Sequence, residues 1–146
     1  MTEKQEKAVL TFKAGYNCAQ SVLAAFAIEM NFDNKLAFQL ASGFLGGMGK
    51  QQKTCGAITG AYMVLGIKNA QQITENDLLK KENVKDIRHF TKEFTKLNQF
   101  TDCIDLVKYD INTEEGLKKL KEDQLDVKVC QKCIADAVLI VENLIN

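Results

Sequence analysis

The chain has 146 residues, 46% of them hydrophobic, enough for one domain that buries about two-thirds of its unfolded surface. Its 19 basic and 19 acidic residues cancel, which removes any electrostatic argument for nucleic acid or an anionic membrane as partner. The opening MTEKQEKAV lacks the basic and then apolar regions of a secretory signal, so the expected location is cytoplasmic.

There is no proline, and apolar residues recur at spacings of three and four rather than two. This pattern predicts an all-α fold, a compact helical bundle in one domain over residues 1–146. A first helix runs from Thr2 or Glu3 to about Ala14, with Gly15 placed to end it. Asn17 can cap a second helix, with Gln20 at the third helical position and Cys18 in the first turn. Val22, Leu23, Ala25, Phe26 and Ile28 would carry its buried face to about Met30. Asp33 or Asn34 can cap a third helix from about Lys35 to Ser42, which Gly43 stops or bends.

The glycine-rich GFLGGMGK that follows is not a phosphate-binding P-loop. Gly43 to Gly49 is one residue too long, Gln51 stands where Ser or Thr is needed, and no strand precedes it. It reads as a turn bringing the third helix close to KTCGAITGAYMVLGI, Lys53 to Ile67. This stretch is expected to be a buried central helix around residues 54–67. Thr54 can cap it, placing Cys55 at the first helical position, where unsatisfied N–H groups favour a thiolate. Gly56 and Gly60 share a face, with Ala57 and Ala61 beside them, and each mid-helix glycine costs about 1 kcal/mol relative to alanine. Such a face suits close approach of a neighbouring helix, or of a second copy in a homodimer. The apolar run is shorter than the roughly 20 residues of a membrane span.

After Ile67, KNAQQITENDLLKKENVKD reads as a surface connection leading into a long helix through IRHFTKEFTKLNQF, with a stripe of Ile87, Phe90, Phe94 and Leu97. His89, the only histidine, has Glu93 one turn later; without a second histidine it reads as a partly exposed helix residue. Thr101 or Asp102 can cap the short CIDLVKYD, which puts Cys103 just after a capping residue. A polar helix, TEEGLKKLKEDQL, precedes a last helix in which Cys130 and Cys133 lie one turn apart on a shared face.

Five cysteines fit poorly with a fully bridged secreted scaffold and point to redox chemistry or metal binding. Cys55, at a helix start, is the candidate nucleophile, attacking a disulfide or an oxidant as a thiolate, with another cysteine to resolve the product. The alternative is that four of the cysteines ligate an iron–sulfur cluster or zinc. Their spacing matches neither paired Cys-x-x-Cys knuckles nor a ferredoxin run. The thiol reading needs no cofactor; its partner would be a redox protein or a small thiol or disulfide.

YNCAQSVL, a glycine-rich stretch, CGAITGA, a cysteine after a Phe-containing helix and a cysteine opening the terminal helix occur here in that order. This arrangement resembles the C_GCAxxG_C_C family of redox-active proteins over nearly the whole chain. Cys18, the motif from Cys55 to Gly60, Cys103 and Cys133 match its four cysteines in order. The resemblance implies a small helical cytoplasmic protein with a proposed redox activity, and it implies Cys18, Cys55, Cys103 and Cys133 as the functional set: Cys18, Cys103 or Cys133 resolving the product on Cys55 or, in the alternative, all four as ligands of an iron–sulfur cluster or zinc. Some relatives are read as selenoproteins, and selenocysteine suits a redox nucleophile better than a passive ligand. Cys130 is a departure, which leaves the choice between Cys130 and Cys133 open. The family domain also resembles part of certain cytochromes, but Ile134 follows Cys133 where covalent haem would want histidine.

Overall fold

The structure is a computed structural model and describes residues 1–146. Eight α-helices follow one another: α1 (Glu3–Lys13), α2 (Cys18–Ala25), α3 (Asn34–Leu40), α4 (Gly56–Gln72), α5 (Asn76–Asn98), α6 (Cys103–Val107), α7 (Glu114–Glu122) and α8 (Lys132–Ile145). There are no strands, so the expected all-α class holds; the one β-type pairing is an antiparallel bridge between Thr54 and Asp102. None of the helices is long and apolar enough to cross a membrane.

Local chemistry sets the first helix starts. Thr2 and Gln5 close a reciprocal capping box at α1, and Asn17 and Gln20 close another at α2. Gly15, at φ +106°, makes the turn between them, a backbone region that L-residues rarely enter. The second helix is shorter than its apolar pattern predicts. At Phe26 and Ala27 the backbone N–H groups bond three residues back, which tightens and ends the helix. Phe26 and Met30 stay buried, whereas Ile28 faces solvent.

The central helix is longer than expected, running on to Gln72, and α5 begins only four residues later behind Glu75, whose carboxylate accepts from the Asp77 and Leu78 N–H groups. The polar stretch after Ile67 is therefore mostly helix rather than connection. Its Lys, Glu and Gln residues are good helix formers, and sparse apolar positions hid the period. Buried Asn69 of α4 ties the two helices by donating to Asn83 Oδ1 (3.0 Å) and Asp86 Oδ2 (2.9 Å). In the stripe on α5, Phe90 and Phe94 are fully buried, and Leu97 is exposed.

A core cluster of 25 buried residues joins α1, α2, α4, α5 and α8. The small face of α4 is spent inside it. A Cβ on Gly60 would lie 2.7 Å from the Ala19 carbonyl oxygen, and one on Gly56 would lie 2.9 Å from the Ala19 nitrogen. The Gly-x-x-x-Gly face thus seats α2, and through α2 it fixes Cys18.

The last helix begins as something else. Asp126–Gln131 forms a π-helical turn that runs directly into α8. Such turns are rare and concentrate at functional sites. Cys130 lies in this turn and Cys133 in the regular helix behind it.

Candidate functional site: a cavity lined by five thiols

Cys18, Cys55, Cys103, Cys130 and Cys133 all line one cavity of about 240 Å³. Phe12, Leu106, Val107, Ile111 and Val129 supply much of the apolar wall, and Asn17 and Asp126 are its polar side chains apart from the thiols. All four sequence-predicted site cysteines are brought together, and Cys130 joins them. All five are free thiols.

Each cysteine arrives by a different device. Cys18 opens α2 behind its capping box. Cys55 is itself the N-cap of α4, one position earlier than expected, because Thr54 is drawn into the bridge with Asp102. The Cys55 N–H donates to the Thr101 carbonyl (2.8 Å) and the Cys103 N–H to the Lys53 carbonyl (2.7 Å), so this short pairing sets Cys55 and Cys103 side by side. Asp102 is the N-cap of α6 but makes no side-chain capping bond. Buried Gln52 secures the α6 side, donating to the Tyr109 carbonyl (2.8 Å) and accepting from the Ile111 N–H (3.2 Å).

The glycine-rich loop packs against this pairing. Residues 46–50 all have positive φ, from 55° to 71°. Gly47 must lack a side chain: a Cβ there would lie 2.7 Å from the Lys53 oxygen and 2.9 Å from Cys103 Cβ.

The electrostatics single out Cys55. Its pKa is lowered, first by the Cys133 thiol and then by the Ala57 and Ile58 N–H groups; burial opposes both. Cys55 makes no formal capping hydrogen bond, so these N–H groups act as the positive end of α4. Cys133 is pushed far up because its proton stabilises the Cys55 thiolate and because it is buried. Burial, followed by the Cys55 charge, pushes Cys103 up to about 12, against a lowering contribution from Gln52. Cys18 is raised by its hydrogen bond to Cys130 and then by burial. The thiols therefore act on one another across one cavity, Cys133 contributing most to the lowering of Cys55 and Cys130 most to the raising of Cys18.

Cys133 has a second neighbour. Its sulfur lies 3.7 Å from Asn98 Oδ1, which also accepts from Lys132 Nζ (2.9 Å). Asn98 Nδ2 donates to Asp136 Oδ2 (3.1 Å), and Lys132 Nζ reaches the same oxygen (2.7 Å). The Cys133 thiol donates to this amide oxygen, which ties the buried thiol to the end of α5. Asn98 carries no signal in the sequence, because it reaches the Cys133 thiol only through the fold. His89 and Glu93 lie on the exposed side of α5 away from the cavity, and Glu93 pairs with Lys96 (2.9 Å).

Clustered thiols are the donor type that zinc and iron–sulfur clusters require. No three His, Cys, Asp or Glu side chains are arranged here to hold one metal ion, so the thiols do not form a closed ligand set as they stand.

A family profile described as "Putative redox-active protein (C_GCAxxG_C_C)" matches residues 16–144, a span that contains all five cysteines. No curated protein and no solved structure matches the chain.

Proposed function

Since the chain belongs to the C_GCAxxG_C_C family, whose description is redox-active, we propose that it is a thiol–disulfide oxidoreductase working through Cys55 and Cys133. The observation that carries this reading is five free thiols lining one cavity, among them Cys55 at the N-cap of α4, with the Ala57 and Ile58 N–H groups at hand to favour its thiolate, and buried Cys133 on the same wall.

The Cys55 thiolate attacks one sulfur of a disulfide R–S–S–R. The S–S bond breaks, one R–S⁻ leaves and takes a proton from solvent, and Cys55 is left in a mixed disulfide. Once the Cys55 thiolate is consumed, it no longer holds the Cys133 proton in place. Cys133 then loses that proton to the second leaving R–S⁻ and attacks the Cys55 sulfur, completing an intramolecular disulfide. Two electrons pass from the two cysteines to the substrate, which takes one proton from solvent and one from Cys133 and becomes two R–SH. Cys18 and Cys130 are thiols on the same cavity, and by exchange they re-reduce Cys55–Cys133 while becoming oxidised themselves; two equivalents of a small external thiol then return that disulfide to the dithiol and leave as their own disulfide. Cys103 is the spectator held protonated beside them.

The test is turnover of a simple disulfide by reduced protein. Cys55→Ser abolishes the reaction, and Cys133→Ser stops it at a mixed disulfide visible as added mass on Cys55. Unchanged activity in Cys55→Ser overturns the assignment. Stoichiometric iron, sulfide or zinc in anaerobically purified protein would move the reading to a cysteine-ligated metal or cluster.

A further inference from the structure

Next to the thiol cavity lies an open cleft of about 450 Å³ whose lining holds Lys96, Lys108, Lys128 and Lys132 against one carboxylate, Asp105. In a chain whose charges cancel overall, this is a local excess of positive charge. Lys96 pairs with Glu93 and Lys132 with Asp136, and Lys108 and Lys128 have no ion-pair partner.

Two features connect the cleft to the chemistry. Leu106 and Val129 line both spaces, so one layer of side chains separates them. Asn98, on the cleft wall, holds Lys132 Nζ at 2.9 Å and the Cys133 sulfur at 3.7 Å on a single oxygen. The cation excess therefore sits at the back of the resolving thiol.

We propose that this cleft selects the substrate: the protein takes small anionic disulfides, those carrying carboxylates, in preference to neutral or cationic ones. The inference rests on the thiol–disulfide reading of the cavity. Two observations set the size. The cavity is about 240 Å³, and Cys55 and Cys133 are only 7% and 1% exposed, so a small molecule reaches them where a disulfide on a folded partner does not. The charge follows from the lysines. Their field acts over about 10 Å at 0.1 M salt, across the layer of side chains that cleft and cavity share, and raises the local concentration of an anion there. The leaving thiolate is also anionic, and the same field stabilises it as the S–S bond breaks.

The experiment compares three disulfides of similar size with reduced protein: 3,3′-dithiodipropionate, 2-hydroxyethyl disulfide and cystamine, which are dianionic, neutral and dicationic. The expected order of initial rates at low ionic strength is anion, neutral, cation, with about tenfold or more between the extremes, compressed in 0.5 M salt. Lys108→Glu/Lys128→Glu, which touches no thiol, inverts the order. A second measurement needs no redox chemistry. Adipate, a comparable dianion without sulfur, gives saturating amide shifts at Lys108 and Lys128 by NMR, and 1,6-diaminohexane does not. Equal rates for the three disulfides, or an order untouched by the double variant, overturn the proposal. If no disulfide reacts, the thiol–disulfide reading fails, and the adipate titration alone decides the cleft: saturation supports anion binding and its absence overturns it.

Discussion

Gly60 of α4 and Ala19 of α2 touch backbone to backbone: a Cβ on Gly60 would fall 2.7 Å from the Ala19 carbonyl oxygen and 3.2 Å from its Cα. The same contact that seats α2 in the core places Cys18, the residue before Ala19, on the cavity wall.

Gly60→Ala is therefore expected to destabilise the fold by about 1–3 kcal/mol, because overpacking against backbone outweighs a helix-propensity gain of about 1 kcal/mol. Gly66 lies on the same helix with nothing within 4 Å of its added Cβ, so Gly66→Ala is expected to be neutral or to stabilise by up to about 1 kcal/mol. Urea unfolding of the two variants checks the contrast. Equal effects would show that propensity rather than close packing governs this face.

Alkylation by iodoacetamide should report the lowered pKa of Cys55. Its rate should reach half-maximum at a pH below the ordinary thiol value of 9.0. Cys133→Ala removes the first cause of that lowering and should move the midpoint upward. A midpoint for Cys55 at or above that of a free cysteine peptide, read site by site by mass spectrometry, would contradict the electrostatics described here.

Stability should fall at high pH through Cys103. Its folded pKa of about 12 lies above its ordinary 9.0, so its contribution is fully present below about 9 and is lost as pH rises towards 12. Cys55 runs the other way: its contribution is present above the ordinary thiol pKa and is lost as pH falls through the depressed folded value. Thermal melts between pH 8 and 11 should show a declining limb, to which the raised Cys18 and Cys133 thiols also contribute, and Cys103→Ala should make it shallower. An unaltered limb in that variant would assign the decline to another group.

Asn98→Leu removes an acceptor from Cys133 and Lys132 and a donor from Asp136. Asn98 is a positioning residue, so disulfide exchange should slow at the second step. Mixed disulfide on Cys55 should accumulate while the first attack keeps its rate. Asn98→Gln should recover part of the second step. A uniform fall in both steps, with no build-up of the mixed species, would leave Asn98 a purely structural role.

Gly47→Ala combines a φ of +71° with contacts to Lys53 and Cys103. It should cost about 1–3 kcal/mol and should raise the alkylation rate of Cys103 by loosening the pairing beneath it. Unchanged Cys103 reactivity would show that the loop and the pairing move independently.

Elements that declare themselves locally were legible in the sequence. The Asn17–Gln20 box, the helix behind Cys55 and the Phe90–Phe94 period each rest on residues three or four apart. The cysteine set was legible too, as an ordered pattern. What could not be read depends on residues far apart in the chain. The pairing of Lys53 and Cys55 with Thr101 and Cys103 makes Cys55 the cap rather than the first helical residue, and no short-range signal announces it. Cys130 looked like a departure on a helix face, and only the turn that contains it brings it to Cys18. Along α5, charged good helix formers masked a helix that the apolar pattern alone made too short.

The π turn over Asp126–Gln131 holds one more residue than an α-helical course would need, so it behaves as a built-in insertion. Behind it, Ile134, Ala137, Val138 and Val141 keep their seat in the core. Within it, Val129 and Cys130 are turned onto the cavity. Deleting a single residue from this segment would let the helix run straight, leave the core side in register and turn Cys130 out of phase with Cys18. A five-thiol cavity and a four-thiol cavity thus differ by one codon's worth of helix phase, with the rest of the bundle undisturbed.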